Sequence, residues 1–299
     1  MKNKVLFFIC FICLFKNNIN AQPFADIITY SYQTFSAPYQ NFDSQKNRTD
    51  NYVLNFFVPK EFKNGNVFLL RLNSEYINTL PASSPNYAVA AVSLPIGFQL
   101  TTKNKKWKTV LIAIPKIASD FRDKLDKLDM QMGGIFLQNY VYSERLKFKA
   151  GLYYNREAFG NFFVPLVSID WRASDKINFY GILPTNYKIE FNLLKNKLYT
   201  GVNFKSYTRS FRLSRNQNND YMRYDEIQVK VFLDYFIYKK ILLFGEMGYA
   251  LGKSPIQYMY NTDQATLTNS VFPQVKNGMV FNAGLAYRLR FDLTAESAK

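Results

Sequence analysis

A serine hydroxyl becomes a nucleophile only beside a base of near-neutral pKa, and this chain has no histidine to serve as one. Its two cysteines, Cys10 and Cys13, lie in an apolar N-terminal segment, so the rest of the chain offers neither a thiolate metal ligand nor a disulfide framework. Carboxylate pairs remain: Asp225 with Glu226, or Asp170 with Glu190, of the kind that cleaves a glycosidic bond. The competing reading makes these acids members of a salt-bridge lattice or rim residues, and it is the one adopted. No acidic cluster is dense enough for an oxygen cage around a metal. No catalytic residue, cofactor or metal site is therefore assigned, and a membrane enzyme is the least favoured function.

The charges are informative through the strands that must carry them. In 279–291, Met279, Phe281, Leu285, Tyr287, Leu289 and Phe291 share one face, while Asn282, Gly284, Arg288 and Arg290 share the other. Segment 146–156 sets Leu146, Phe148, Ala150, Leu152 and Tyr154 against Lys147, Lys149, Gly151 and Asn155. Segment 226–237 sets Ile227, Val229, Val231, Leu233 and Ile237 against Glu226, Gln228, Lys230 and Asp234. An apolar face ending in aromatics fits hydrocarbon, and the opposite face needs a wet lumen. The same parity turns Arg71, Glu75, Asp170, Arg172, Lys188, Glu190, Lys205, Arg209 and Glu246 inward. The expected lumen is of mixed charge.

Composition agrees with an all-β, single antiparallel transmembrane β-barrel. Aromatic residues make up 17% of the chain, mean hydropathy is −0.20, and no apolar run outside the N-terminus reaches the roughly 20 residues of a spanning helix. A soluble sandwich would share the alternation, but uniformly apolar outward faces with aromatics near strand ends argue for lipid contact. Lys2 and Lys4 precede the apolar run Val5 to Phe15, and Ala21 offers a cleavage site, so residues 1–21 read as a secretory signal. Ile12 before Cys13 speaks against lipidation. Removal of Lys2, Lys4 and Lys16 lowers the formal charge from +16 to about +13. With no recognition helix or concentrated basic arm, nucleic acid is not an expected partner. Outer-membrane lipids, the anionic head groups of lipopolysaccharide, and the barrel-assembly machinery during biogenesis are.

Strand candidates fall at about 24–36, 50–58, 66–78, 87–101, 107–117, 131–142, 146–156, 162–172, 176–182, 186–194, 197–209, 222–238, 240–252 and 277–291. That is fourteen strands, or twelve if two short ones merge into loops. With both chain ends periplasmic, the inner joins are brief and most outer joins longer, among them 37–49, 79–86, 118–130, 210–221 and 253–276. Pro95, Pro115 and Pro165 inside candidate strands read as bulges or rim positions. Phe121, Leu125, Leu128 and Met132 recur at helical spacing and predict a loop helix at 118–130, packed on its own barrel or serving as a lid. The barrel would occupy 22–291, and 292–299 would form a short tail beyond the terminal aromatic.

The stretch Met132-Gly133-Gly134-Ile135-Phe136-Leu137, then Asp170-Trp171-Arg172 with the hairpin Ile177 to Pro184, and the closing aromatic strand resemble the outer-membrane β-barrel family catalogued as domain of unknown function 6268, from Gram-negative bacteria. The resemblance implies a fold and an outer-membrane location, and no activity. Three functions stay open: a passive channel or uptake barrel for small solutes, favoured narrowly; a closed barrel binding a partner through its outer loops; and an enzyme. The solute is not legible.

Overall fold

Alternation of apolar and polar side chains stabilises strands only when every ladder finds a neighbour, and here the ladders run in a ring. The computed structural model describes residues 23–39, 42–80, 86–194, 197–214, 220–251, 256–261, 264–270 and 275–290. The expected signal and tail lie outside them. The strands are β1 (Phe24–Tyr39), β2 (Phe42–Glu61), β3 (Val67–Leu80), β4 (Tyr87–Ser93), β5 (Ile96–Thr101), β6 (Trp107–Ser119), β7 (Met130–Val141), β8 (Leu146–Glu157) and β9 (Gly160–Arg172). They continue with β10 (Ile177–Ile182), β11 (Asn186–Leu194), β12 (Leu198–Arg212), β13 (Tyr221–Tyr238), β14 (Ile241–Leu251), β15 (Ile256–Asn261), β16 (Gln264–Ser270) and β17 (Gly278–Arg290).

β17 pairs antiparallel with β1 from Phe24↔Arg290 to Ser36↔Met279, which closes the sheet. β4 and β5 are two parts of one wall strand, because both pair with β3 and β6 in a single register across Leu94 and Pro95. β15 and β16 form a hairpin beside the wall while β14 pairs directly with β17. The wall thus has fourteen antiparallel strands rather than twelve. Phe24 and Arg290 share what we term the near end, and the opposite end is the far end.

Three local expectations fail. The outer join 37–49 is mostly strand, with Ala37↔Asn47 and Pro38↔Lys46 extending the β1–β2 hairpin; its polar residues have no apolar alternation to betray them. Pro95, Pro115 and Pro165 cause no bulge, since Pro115↔Met132 and Pro165↔Leu152 keep the register of their neighbours. The Pro165 nitrogen faces the side where Val167 N last meets a partner, Leu183 O at 3.1 Å, so no ladder donor is lost there.

The third is the helix at 118–130. β6 runs on to Ser119, β7 begins at Met130, and 120–129 is an irregular loop with Phe121 at φ 54°. The aspartates responsible recur every third residue and capture backbone amides. Asp120 Oδ1 accepts from Arg122 N at 3.1 Å, Asp126 Oδ1 from Leu128 N at 2.7 Å, and Asp129 Oδ2 from Asp126 N at 2.8 Å. Such bonds compete with helical ones and win in a short segment.

Parity holds around the wall. Along β13, Gln228, Lys230, Phe232, Asp234 and Phe236 are buried inside while Ile227, Val229, Val231, Leu233 and Tyr235 are exposed outside. Exposed aromatics mark both ends of the outer face: Trp107, Tyr142, Trp171 and Tyr238 near, and Tyr30, Tyr52, Tyr76 and Phe163 far. This is an exterior for hydrocarbon between two interfaces.

The wall is low at one place. The turn after β10 lies opposite Val167 of β9, and Ser206 N of β12 meets Thr185 O at 3.0 Å. Above it, among the described residues, neither Gly160–Leu166 of β9 nor 207–211 of β12 has a ladder partner on that side. The flanks rejoin at the far end, where Ser210 N and Oγ donate to Glu157 Oε2 at 2.9 and 2.6 Å. Just below the low turn the β9–β10 seam is stitched by side chains. Gly181 N donates to Asp170 Oδ1 at 3.3 Å, the Ser168 hydroxyl to Gly181 O, and Tyr187 Oη to Ile169 O at 2.7 Å. Gly181 takes φ 132°, and a Cβ there would lie 2.2 Å from Asn186 O, so only glycine fits.

Candidate lumen site

Three layers of charge occupy the lumen. At the near end Arg288 binds Asp26 at 2.6 Å and Asp234 at 2.5 Å, and lies 3.6 Å over the Phe24 ring. Arg290 holds Glu190 at 2.7 Å, and Asn178 and Tyr180 also donate to that fully buried carboxylate. In the middle Glu246 collects Lys230 at 2.6 Å, Lys188 at 3.7 Å and Lys205 at 3.9 Å, with Asn203 and Asn282 donating to its two oxygens. Toward the far end Arg209 of β12 crosses to Glu75 of β3 and lies 3.9 Å from Glu226, and Asn51 donates to Glu75 at 2.8 Å. On the other wall Lys149 meets Asp170 at 2.5 Å.

Three of the inward-parity cations lie outside these layers. Arg172 pairs with the exposed Asp175 at 3.3 Å on the near rim. Lys147 is half-buried on β8. Arg71 is exposed within the lumen, 4.7 Å over the Phe57 ring. Neither suggested acid pair forms a joint site, because Asp170 is taken by Lys149, Glu190 by Arg290, and Asp225 by Arg223 at 2.6 Å. Sequence reading missed Asp26, whose parity is masked by the register shift between Asp26 and Ile28. It also missed Lys116 and Glu157, 3.6 Å apart, although Glu157 continues the inward parity of Lys147 and Lys149.

Toward the far end the β12–β13 hairpin leans across the barrel onto the opposite wall. Phe211, Leu213, Met222 and Tyr224 pack on Ile77, Val89, Ala91 and Ala118 of β3, β4 and β6. Thr79 and Tyr224 share a hydroxyl bond of 3.0 Å, and Arg212 of β12 bridges to Ser119 of β6 in parallel. The lumen wall is two-sided. Whereas β11–β14 and β17 carry most of the ion pairs, β3 and β6–β10 present an apolar surface beside the Lys149–Asp170 and Lys116–Glu157 pairs: Val110, Leu137 and Leu166 are buried in it, with Leu69, Ile112, Ile135, Tyr153, Val164 and Ile182 partly covered.

The model of the family described as domain of unknown function 6268 matches residues 89–288. No curated protein matches the chain. Among solved structures, an outer membrane channel from Pseudomonas putida F1 is 8% identical, with 92% of this chain and 100% of that one covered and a TM-score of 0.44. The translocator domain of the autotransporter NalP from Neisseria meningitidis is 12% identical, with 97% and 95% covered and a TM-score of 0.42. The NanC porin is 8% identical, with 88% and 100% covered and a TM-score of 0.38.

Proposed function

Since the chain belongs to the domain of unknown function 6268 family, whose description names no activity, function has to be argued from the lumen, and we propose an outer-membrane barrel that takes up small solutes and rests with its far mouth closed. The near end faces the periplasm in this reading, as in bacterial barrels with both termini inside. The observation that carries it is the way the mouth is closed. The far part of the β12–β13 hairpin leans across, held by the Arg209–Glu75 ion pair, the Thr79–Tyr224 bond and a small apolar cluster. Such contacts can be released without breaking the ring of ladders. Most lumen cations are matched by carboxylates, so any preference for anions rests on the few that are not.

Single-channel conductance of the refolded chain tests this. The native protein should conduct weakly and intermittently, and Arg209→Ala with Tyr224→Ala should raise the open fraction about tenfold, the effect of about 1.4 kcal/mol lost from the closed state. Silence from the folded variant would favour the closed scaffold that acts through its outer loops. Large steady conductance of the native chain would mean that the tip is no gate.

A further inference from the structure

We propose that the gap above the β10–β11 hairpin is a lateral portal, through which an anionic amphiphile passes between the membrane and the apolar half of the lumen. The idea rests on the uptake reading and names a class of solute for it. The gap is bounded by Gly160–Leu166 of β9, the turn after β10, and 207–211 of β12, none of which finds a ladder partner across it among the described residues. Below Phe163, which marks the far interface, the gap faces hydrocarbon, where a wall ordinarily satisfies every backbone group in its ladders, so the break there needs another occupant or a use.

What lies behind the gap gives that use. Val164 and Ile182, on its two lower edges, belong to the apolar lumen surface that continues through Leu69, Ile112, Ile135 and Tyr153. Water alone gains nothing from such a surface, whereas an acyl chain is stabilised by burying its methylenes there. Two cations border it: Arg71, two residues beyond Leu69 on β3, and Lys108, two residues before Val110 on β6. Among the described residues neither has a carboxylate within ion-pair distance, unlike the lysines around Glu246. Chain-length apolar wall, unmatched positive charge and an opening to lipid together fit a molecule with one anionic head and one apolar tail. The side-chain stitching of Ser168, Asp170 and Tyr187 beneath the portal lets its lower edge part at fewer backbone bonds than elsewhere.

The test places a bimane fluorophore at Ile135→Cys, inside, or at Phe136→Cys, outside, in full chain carrying Cys10→Ser and Cys13→Ser. The probes are palmitate and hexadecanol, each brominated near the chain end. Bromopalmitate should quench the inner site saturably, and Arg71→Ala/Lys108→Ala should weaken its apparent affinity roughly tenfold, about 1.4 kcal/mol. Bridging the gap with a bismaleimide between Phe163→Cys and Thr208→Cys, or obstructing it with Ser206→Trp, should slow that quenching at least tenfold. Quenching indifferent to both obstructions overturns the portal, as does quenching confined to the outer site. Equal affinity for bromohexadecanol overturns the anionic head. Conductance of the mouth variants is read separately: conduction without inner quenching leaves the uptake reading standing and removes the portal, and obstruction-sensitive quenching in a non-conducting barrel does the reverse.

Discussion

Glu246 shows how a membrane protein keeps charge inside. One carboxylate answers three lysines, and Lys230, the nearest at 2.6 Å, is only 1% exposed. Removal of the acid leaves three ammonium groups facing one another in a poorly hydrated space, and the uncompensated buried charge sets the cost. Glu246→Gln should therefore lower unfolding stability by about 3–5 kcal/mol, measured by denaturant titration in detergent with folding followed by gel mobility. Asp175→Asn, which breaks an exposed pair with Arg172 on the rim, should cost less than about 1 kcal/mol in the same assay. The two substitutions remove the same charge. Burial separates them.

At the level of elements, the seam between β9 and β10 has the shortest ladder in the ring among the described residues, because the backbone of Gly181 bonds the side chains of Ser168 and Asp170, and Ile169 O accepts from Tyr187, where two backbone bonds would stand. Tyr187→Phe removes one of them, worth about 1 kcal/mol, and amide exchange in 167–171 should quicken roughly fivefold while β13 is unchanged. Deuterium uptake by mass spectrometry reads this directly. The fourteen wall strands were legible because lipid outside and water inside impose opposite chemistry on alternate residues, as in β13 and β17. Where that contrast fades, legibility fades with it. The polar extension at Ala37–Arg48 pairs as strand without any apolar signal, and 120–129 has a helical stripe that its aspartates override. Parity also told which side Arg209 and Glu75 occupy. It could not tell that they meet, since their strands lie across the barrel from each other and no local spacing records that distance.

For the whole molecule, stability depends on keeping one surface for lipid and another for the lumen. Val231→Arg puts a charge on the outer face between two inward-facing residues and should cost about 2–4 kcal/mol if it sits at mid-membrane, whereas Gln228→Arg on the inner face should cost much less. Insertion into vesicles followed by denaturant titration distinguishes them, and equal costs would contradict a lipid-facing exterior. The ring has a further consequence in time. The bonds of Arg288 to Asp26 join residues 262 positions apart, at the strand pair that completes the wall. Until the last strand is delivered, the first must wait with an unsatisfied edge, so assembly proceeds against the longest loop-closure entropy the chain can present. An Asp26 side chain that greets Arg288 on arrival acts as a clasp for that final event, and its removal should lengthen the life of open, aggregation-prone intermediates more than it weakens the finished barrel.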